Sequence, residues 1–274
     1  MPLAYYSLSA TAEFWSEHWG QYSVAELLRI ARSSPLTELI EHHLRPEGWV
    51  LEAGCGVGQY VILLREWGHA AVGADWSFEA VKRGAEAGAP LAVMDLRALA
   101  IRDRSVSTYL SLGVVEHDLE GPDGIVAEAA RVLSPGGVLL LSVPYWNGVR
   151  RLFTSYIVWR SWRARVAGGQ FYQFAFTRRE VGAFLEAQGF SVGSFHPYDP
   201  ARILRKAIRA LVGGSPSPGN TPTGTVGRAA HASTARGGGA RRAFRLRRAF
   251  RRLLYTPAML RLFGHMILAV AIKR

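Results

Sequence analysis

The stretch Val50-Leu51-Glu52-Ala53-Gly54-Cys55-Gly56-Val57-Gly58, followed by Gln59-Tyr60-Val61, constrains the fold more than any other part of the chain. An apolar run of strand length enters a glycine-packed turn and then opens a helix. Three glycines at alternate positions let the backbone pass close to a ligand, because a Cβ there would fill the space. The helix that follows presents its first amide hydrogens to whatever lies beyond the turn. The spacing is G-x-G-x-G, with the carboxylate of Glu52 two residues before the first glycine. A dinucleotide-binding turn is G-x-G-x-x-G and typically has no acid there, which disfavours a nicotinamide cofactor.

Beyond this turn the hydrophobic pattern switches repeatedly between two periods. Strands fit 49–53, 70–74, 90–94, 106–112, 137–143 and 190–196. Helices fit 58–67, 78–87, 121–133 and 178–188, the last opened by a capping box of Thr177 and Glu180. Apolar strands bounded by helices point to a parallel sheet covered on both faces. The final apolar run, Met266–Ile272, needs a partner, and pairing it with 190–196 closes the sheet. The expected division is an N-terminal helical cap at 1–48 and a core at 49–197 with a helical acceptor-side insertion near 145–176. A basic insertion at 198–262 and a last core strand at 263–274 complete it. Residues 213–240 are rich in Gly, Pro, Ser, Thr and Ala and are expected to form a disordered linker.

Ligands of open α/β sheets bind beyond the carboxyl ends of the strands. Glu52 closes the first core strand, Asp75 the second, and Asp95 follows the third. Asp75 lies 17 residues after Gly58, room for one helix and one return strand. A carboxylate there can accept both hydroxyls of a ribose, although Asp75 before Trp76-Ser77 also fits a helix cap. Asp95 can accept an amino hydrogen from adenine between Met94 and Leu96. Glu52 can reach an ammonium group or orient the glycine turn.

These residues resemble the class I S-adenosylmethionine-dependent methyltransferases, especially the small-molecule branch that includes quinone-biosynthesis enzymes. The E-x-G-x-G-x-G turn at Glu52–Gly58 (with Gly54 and Gly56) is similar to that family's cofactor signature. Val72–Ser77, containing Asp75, Trp76 and Ser77, resembles its ribose-binding strand end, and Met94-Asp95-Leu96 its adenine site. Ser111–His117, with Leu112 and Gly113, resembles the strand end beside the methionine part of the cofactor. Ala130–Gly137 resembles the helix-to-strand link of this branch. The resemblance implies S-adenosyl-L-methionine as cofactor and an α/β, seven-stranded Rossmann-like sheet of order 3-2-1-4-5-7-6. Strand seven would be antiparallel, with helices on both faces.

The acceptor is less legible. No Asn-Pro-Pro-Tyr or Asp-Pro-Pro-Tyr follows the fourth core strand, and no Pro-Cys nucleophile exists, so several base-methylating subclasses are set aside. His117 is the best candidate for a base, although a packing histidine at a helix start is the plainer explanation. Tyr145 and Trp146 are placed to line an acceptor pocket. Phe14, Trp15, Trp19 and Tyr22 would cap it, unless they simply pack a helix.

Charge is strongly segregated. Residues 201–274 hold 16 Lys or Arg and no acid; residues 1–200 hold the other 17 against 21 acids, giving −4. Basic, aromatic stripes run through Val149, Leu152, Phe153, Tyr156 and Ile157, through Ile203–Val212, and through Ala243–Leu253. Such composition suits an anionic membrane surface, with nucleic acid the less favoured partner. The longest apolar runs are too short to span a bilayer, and the first residues lack the features of a signal peptide. The expectation is a cytoplasmic protein, peripheral on the inner face of the membrane. The acceptor would be a small, hydrophobic or lipid-like molecule. Methylation of RNA and a non-catalytic cofactor-binding role are the alternatives. With Cys55 as the single cysteine, a C-x-x-C metal site is excluded and no metal is expected.

Overall fold

A computed structural model describes residues 1–7, 22–200, 202 and 253–274. Phe14, Trp15, Trp19, the apolar stripe at 203–212, the linker at 213–240 and most of the helix pattern at 241–254 lie outside the described residues.

The elements run in this order: β1 (Leu3–Ser7), α1 (Val24–Arg32), α2 (Pro35–His43), β2 (Trp49–Ala53), α3 (Gln59–Glu66), β3 (Ala70–Asp75), α4 (Phe78–Glu86), β4 (Leu91–Val93) and β5 (Val106–Leu112). A 3-10 turn (Val115–His117) follows, then α5 (Asp123–Val132), β6 (Leu133–Pro144), α6 (Gly148–Leu152), α7 (Thr154–Val166), β7 (Gln170–Ala175), α8 (Arg178–Ala187) and β8 (Phe190–Tyr198). The chain closes with α9 (Pro257–Phe263) and β9 (Met266–Lys273).

Seven strands form one sheet in the order β4-β3-β2-β5-β6-β9-β8. Counted along the core strands this is 3-2-1-4-5-7-6, the order that the family resemblance implied. The pairs of β2 with β3 and β5, of β3 with β4, and of β5 with β6 are parallel. The last strand, β9, runs antiparallel to both neighbours, with Leu141 opposite Ala269 and Tyr198 opposite Met266.

Period-two alternation decides which side chains meet which helix layer. Leu51, Leu139, Leu141, Val143, Ile267 and Ala269 join the core on the side of α5 and α8. Val50, Val138, Leu140, Met266, Leu268 and Val270 join the core under α2 and α3. Both faces are therefore buried, and the strands read as continuous apolar runs. Local signals agree with the ends of the helices. Ser23 and Glu26 form a reciprocal capping box on α1, and Thr177 and Glu180 form one on α8.

Two expectations change. The segment 145–176 is not wholly helical: it ends in β7, and β7 pairs antiparallel with β1, which the reading of residues 1–48 as helical missed. Aromatic residues recur at every second position through Tyr172, Phe174 and Phe176, a strand pattern that the neighbouring helices obscure. The stripe from Val149 to Ile157 is not one helix, since Phe153 ends α6 and begins α7. Arg150 turns inward and donates to the carbonyl of Tyr145 at 2.5 Å and to that of His265 at 3.2 Å.

Candidate active site

The carboxyl ends of β2, β3, β4 and β5 open on a cavity of about 490 Å³. Gly54, Asp75, Trp76, Met94, Asp95, Leu96, Gly113 and His117 line it, together with Val93, Arg97, Val114, Asp118, Leu119 and Ile125. The volume lies within the ~300–1,000 Å³ of small-molecule sites. Its wall is mostly apolar, with the acids Asp75, Asp95 and Asp118 set into it.

The glycine turn is shaped by packing as much as by approach to a ligand. Gly54 has φ +79°, and a Cβ there would lie 2.3 Å from Cγ2 of Val114. Gly58 has φ +71°, begins α3 in the left-handed conformation and would collide with Leu91 at 2.8 Å. Of the three glycines only Gly54 lines the cavity; Gly56 and Gly58 hold the turn behind it.

Asp75 is buried at the end of β3. Its Oδ2 accepts the amide hydrogen of Gly56 at 2.8 Å and its Oδ1 that of Ser77 at 2.9 Å. Burial raises its carboxyl above the ordinary range, opposed by the amides of Ser77, Gly56 and Trp76. Ser77 itself caps α4 through the amide of Ala80. One side chain thus ties the glycine turn to the start of α4 and still borders the cavity. The cap and the cavity roles coexist.

Glu52 sits elsewhere. It is 2% exposed and accepts the amide of Val61 in the first turn of α3. Burial pushes its carboxyl well above the usual carboxylate range. It borders a second, much smaller void of about 30 Å³ with Gln59, Tyr60, Leu112 and Tyr198. Of its two proposed uses, ordering the glycine turn is the one this geometry serves. Leu112, on the same void, is not in the main cavity wall. Asp95 is exposed and paired with Arg97 through contacts of 3.1 and 3.0 Å, which hold its carboxyl below the ordinary range.

His117 lines the cavity from the turn after β5. Its Nδ1 lies 2.7 Å from the carbonyl oxygen of Tyr172 on β7. A carbonyl only accepts, so Nδ1 carries the hydrogen and Nε2 holds the lone pair. Burial pushes the ring down to about 4, so it is neutral near pH 7. Tyr145 does not reach this cavity. It belongs to the core, 8% exposed, with the Arg178 guanidinium 5.8 Å from its ring. The end of β6 points it beneath the site, and its backbone pairs with Phe176. Trp146 donates its indole hydrogen to Thr154 at 3.3 Å. Tyr22 packs with Leu27, Val57 and Ala80, away from the cavity wall.

Sequence reasoning missed Val93, Arg97, Val114, Asp118, Leu119 and Ile125. Val114, Asp118 and Leu119 flank His117, so a fuller reading of the loop after β5 would have found them. Ile125 needed the geometry of α5. Glu116, beside His117, received no role, yet it is wholly buried.

This glycine turn, acid-ended β3 and sheet order define a class I S-adenosylmethionine-dependent methyltransferase fold. Residues 51–141 match the protein family described as methyltransferase domain. The chain is 31% identical over 110 residues to a malonyl-[acyl-carrier protein] O-methyltransferase of Hamiltonella defensa, covering 39% of this chain and 42% of that protein. It is 27% identical over 158 residues to a human probable tRNA methyltransferase 9B, covering 57% of this chain and 33% of that protein. The chain thus spans less than half the length of these curated relatives. Its fold is similar to that of an S-adenosylmethionine-dependent methyltransferase of Methanosarcina mazei, with a TM-score of 0.56 at 16% identity over 86% of this chain and 96% of that one.

Proposed function

We propose that the protein transfers a methyl group from S-adenosylmethionine to a small, hydrophobic or lipid-like acceptor at a membrane surface. The observation that carries the reading is the cavity bounded by Gly54, Asp75, Met94 and His117. Its residues fit the cofactor. Asp75 has lone pairs left for ribose hydroxyls after accepting two backbone amides, because a carboxylate offers about four. Val93, Met94, Leu96 and Ile125 provide apolar faces for a flat ring, and Asp95 stands at the rim beside them. Glu52 keeps the glycine turn in register through the amide of Val61.

The cofactor supplies, when bound, a methyl carbon made electrophilic by a positively charged sulfur. The chain's own part is to align an acceptor and exclude water, a contribution of about 7–11 kcal/mol in favourable cases. His117, neutral with its lone pair on Nε2, can take a proton from an acceptor whose own acidity requires it. Calorimetry tests the reading: S-adenosylmethionine and its demethylated product should both bind. Binding of neither would remove it.

The membrane location rests on α6 and α7. Leu152, Phe153, Tyr156, Trp159, Trp162 and Val166 are all about half exposed or more. Arg151, Arg160, Arg163 and Arg165 stand among them, and Arg163 lies 5.0 Å from the Trp159 ring. Aromatic and apolar side chains interleaved with arginine suit an anionic lipid surface. Among the described residues no helix is long and apolar enough to cross a membrane. Co-sedimentation with phosphatidylglycerol vesicles, but not with phosphatidylcholine vesicles, is the expected result.

A second reading, methylation of RNA, draws on the 16 basic residues of 201–274 without one acid. It predicts RNA binding with a steep loss on adding salt, whereas the first reading predicts dependence on anionic lipid.

A further inference from the structure

Glu116 is the least explained group near the cavity. It is 0% exposed, and apart from its own backbone amide neither carboxyl oxygen has a hydrogen-bond partner among the described residues. A buried polar group without partners is costly, and a buried charge more so. It belongs to the short turn whose neighbours Val114 and His117 line the cavity, and its Oε1 lies 3.9 Å from Nε2 of His117.

Among the described residues no cationic side chain is paired with this carboxyl; Arg202 acts on the Tyr172 phenol beside it. His117, from its own turn, is neutral near pH 7. From β7 comes the Tyr172 ring, and from the end of β8 that of Tyr198; both phenols feel the carboxyl, and burial keeps both protonated. The side chain facing Tyr198 from β6 is the hydroxyl of Ser142, which does not titrate in this range. Burial raises the Glu116 carboxyl to about 8, opposed by its own backbone amide alone.

We propose, on the basis of the cofactor reading above, that Glu116 is a proton switch whose charge is set by the cavity. It is a neutral acid when the cavity holds no cation, and it gives its proton to solvent when a sulfonium fills the cavity. The structural reason is placement. Glu116 shares a four-residue stretch with two cavity-lining residues, and no cation is paired with it among the described residues. A positive charge brought close favours the ionised carboxyl and moves its midpoint down by about 1–3 pH units. The result is a carboxylate made only in the loaded protein, 3.9 Å from Nε2 of His117. The empty protein avoids the cost of an unpaired buried anion.

Two ligands that differ by one methyl group and one charge provide the test. S-adenosylmethionine carries the sulfonium; S-adenosylhomocysteine has a neutral thioether. Titration calorimetry of the full chain at pH 7.5, in buffers of different ionisation heat, counts protons released on binding. The sulfonium should release between about half and three-quarters of a proton per site more than the thioether. Glu116→Gln should bind both ligands and abolish that difference. Equal release for the two ligands in the natural protein would overturn the proposal, whether or not the Gln variant folds. So would a difference that survives Glu116→Gln. Failure of both ligands to bind would instead strike the cofactor reading itself.

Discussion

The two halves of the sheet end are built on opposite plans. On the side of β2, β3 and β4, the cavity is made from short turns locked by backbone contacts. Gly54 fits against Val114, and Asp75 ties Gly56 to Ser77. On the side of β6, the chain leaves the sheet at Pro144 and runs through α6, α7 and β7, and β7 pairs with the strand β1. There Trp162 is 60% exposed and Phe153 52%. The first half is a rigid mould for one ligand, sensitive to a single methyl group. The second is an added surface whose side chains have not been used up by the fold. A conserved chemistry needs the first kind of construction, and a choice of partner needs the second.

That contrast can be broken most directly at Gly54. Valine at this position meets Val114 and a backbone angle foreign to branched residues. The expected outcome is a loss of about 1–3 kcal/mol of stability from overpacking, seen as a lower urea midpoint, and no measurable heat with S-adenosylmethionine. Asp75→Ala comes next. Losing hydrogen bonds to a charged group costs about 1.5–3 kcal/mol, so cofactor affinity should fall roughly 10- to 100-fold by calorimetry. Unchanged affinity would mean that Asp75 serves only the turn.

Acidity gives a third handle. The Glu116 carboxyl is raised to about 8 in the folded protein, so between its unfolded value near 4.5 and 8 the folded state binds the extra proton. Stability therefore falls as pH rises through that window, by at most about 1.4 kcal/mol per pH unit from this group. Glu116→Gln should flatten the corresponding slope of Tm against pH between 5 and 8. A slope identical to that of the natural protein would show that Glu116 is not buried as described. The smallest effect belongs to the other half. Trp159→Ser combined with Trp162→Ser should change stability by no more than about 0.5 kcal/mol and leave cofactor affinity intact, while reducing sedimentation with anionic vesicles. A large fall in Tm would instead place those rings in a packed interface.

How much of this could be read from the chain follows the same division. The mould was legible because its parts are local. Glu52 to Gly58, Asp75 with Ser77, and Met94 to Leu96 each lie within a few residues of a strand end, and the strand order followed from the family resemblance that these residues carry. What was not legible depended on pairings distant in sequence. The strand β7 hides between helices until β1 is seen beside it. Tyr145 looks like a pocket residue from its place after β6, yet the twist of that strand sends it into the core. Arg150 reads as a surface charge because its partners, Tyr145 and His265, come together only in the fold. The isolation of Glu116 is a property of its surroundings, which no motif encodes.

The placement of β9 between β6 and β8 has a consequence for how the molecule is made. Those two strands never touch each other in the sheet, and what joins them arrives only when residues 266–273 have been synthesised. Until then, the nascent chain carries two open apolar edges, one from each strand, with the long basic stretch still to emerge. Unpaired edges of that kind invite the wrong partner. A chain stopped before Met266 should therefore clump rather than fold, even with its glycine turn complete.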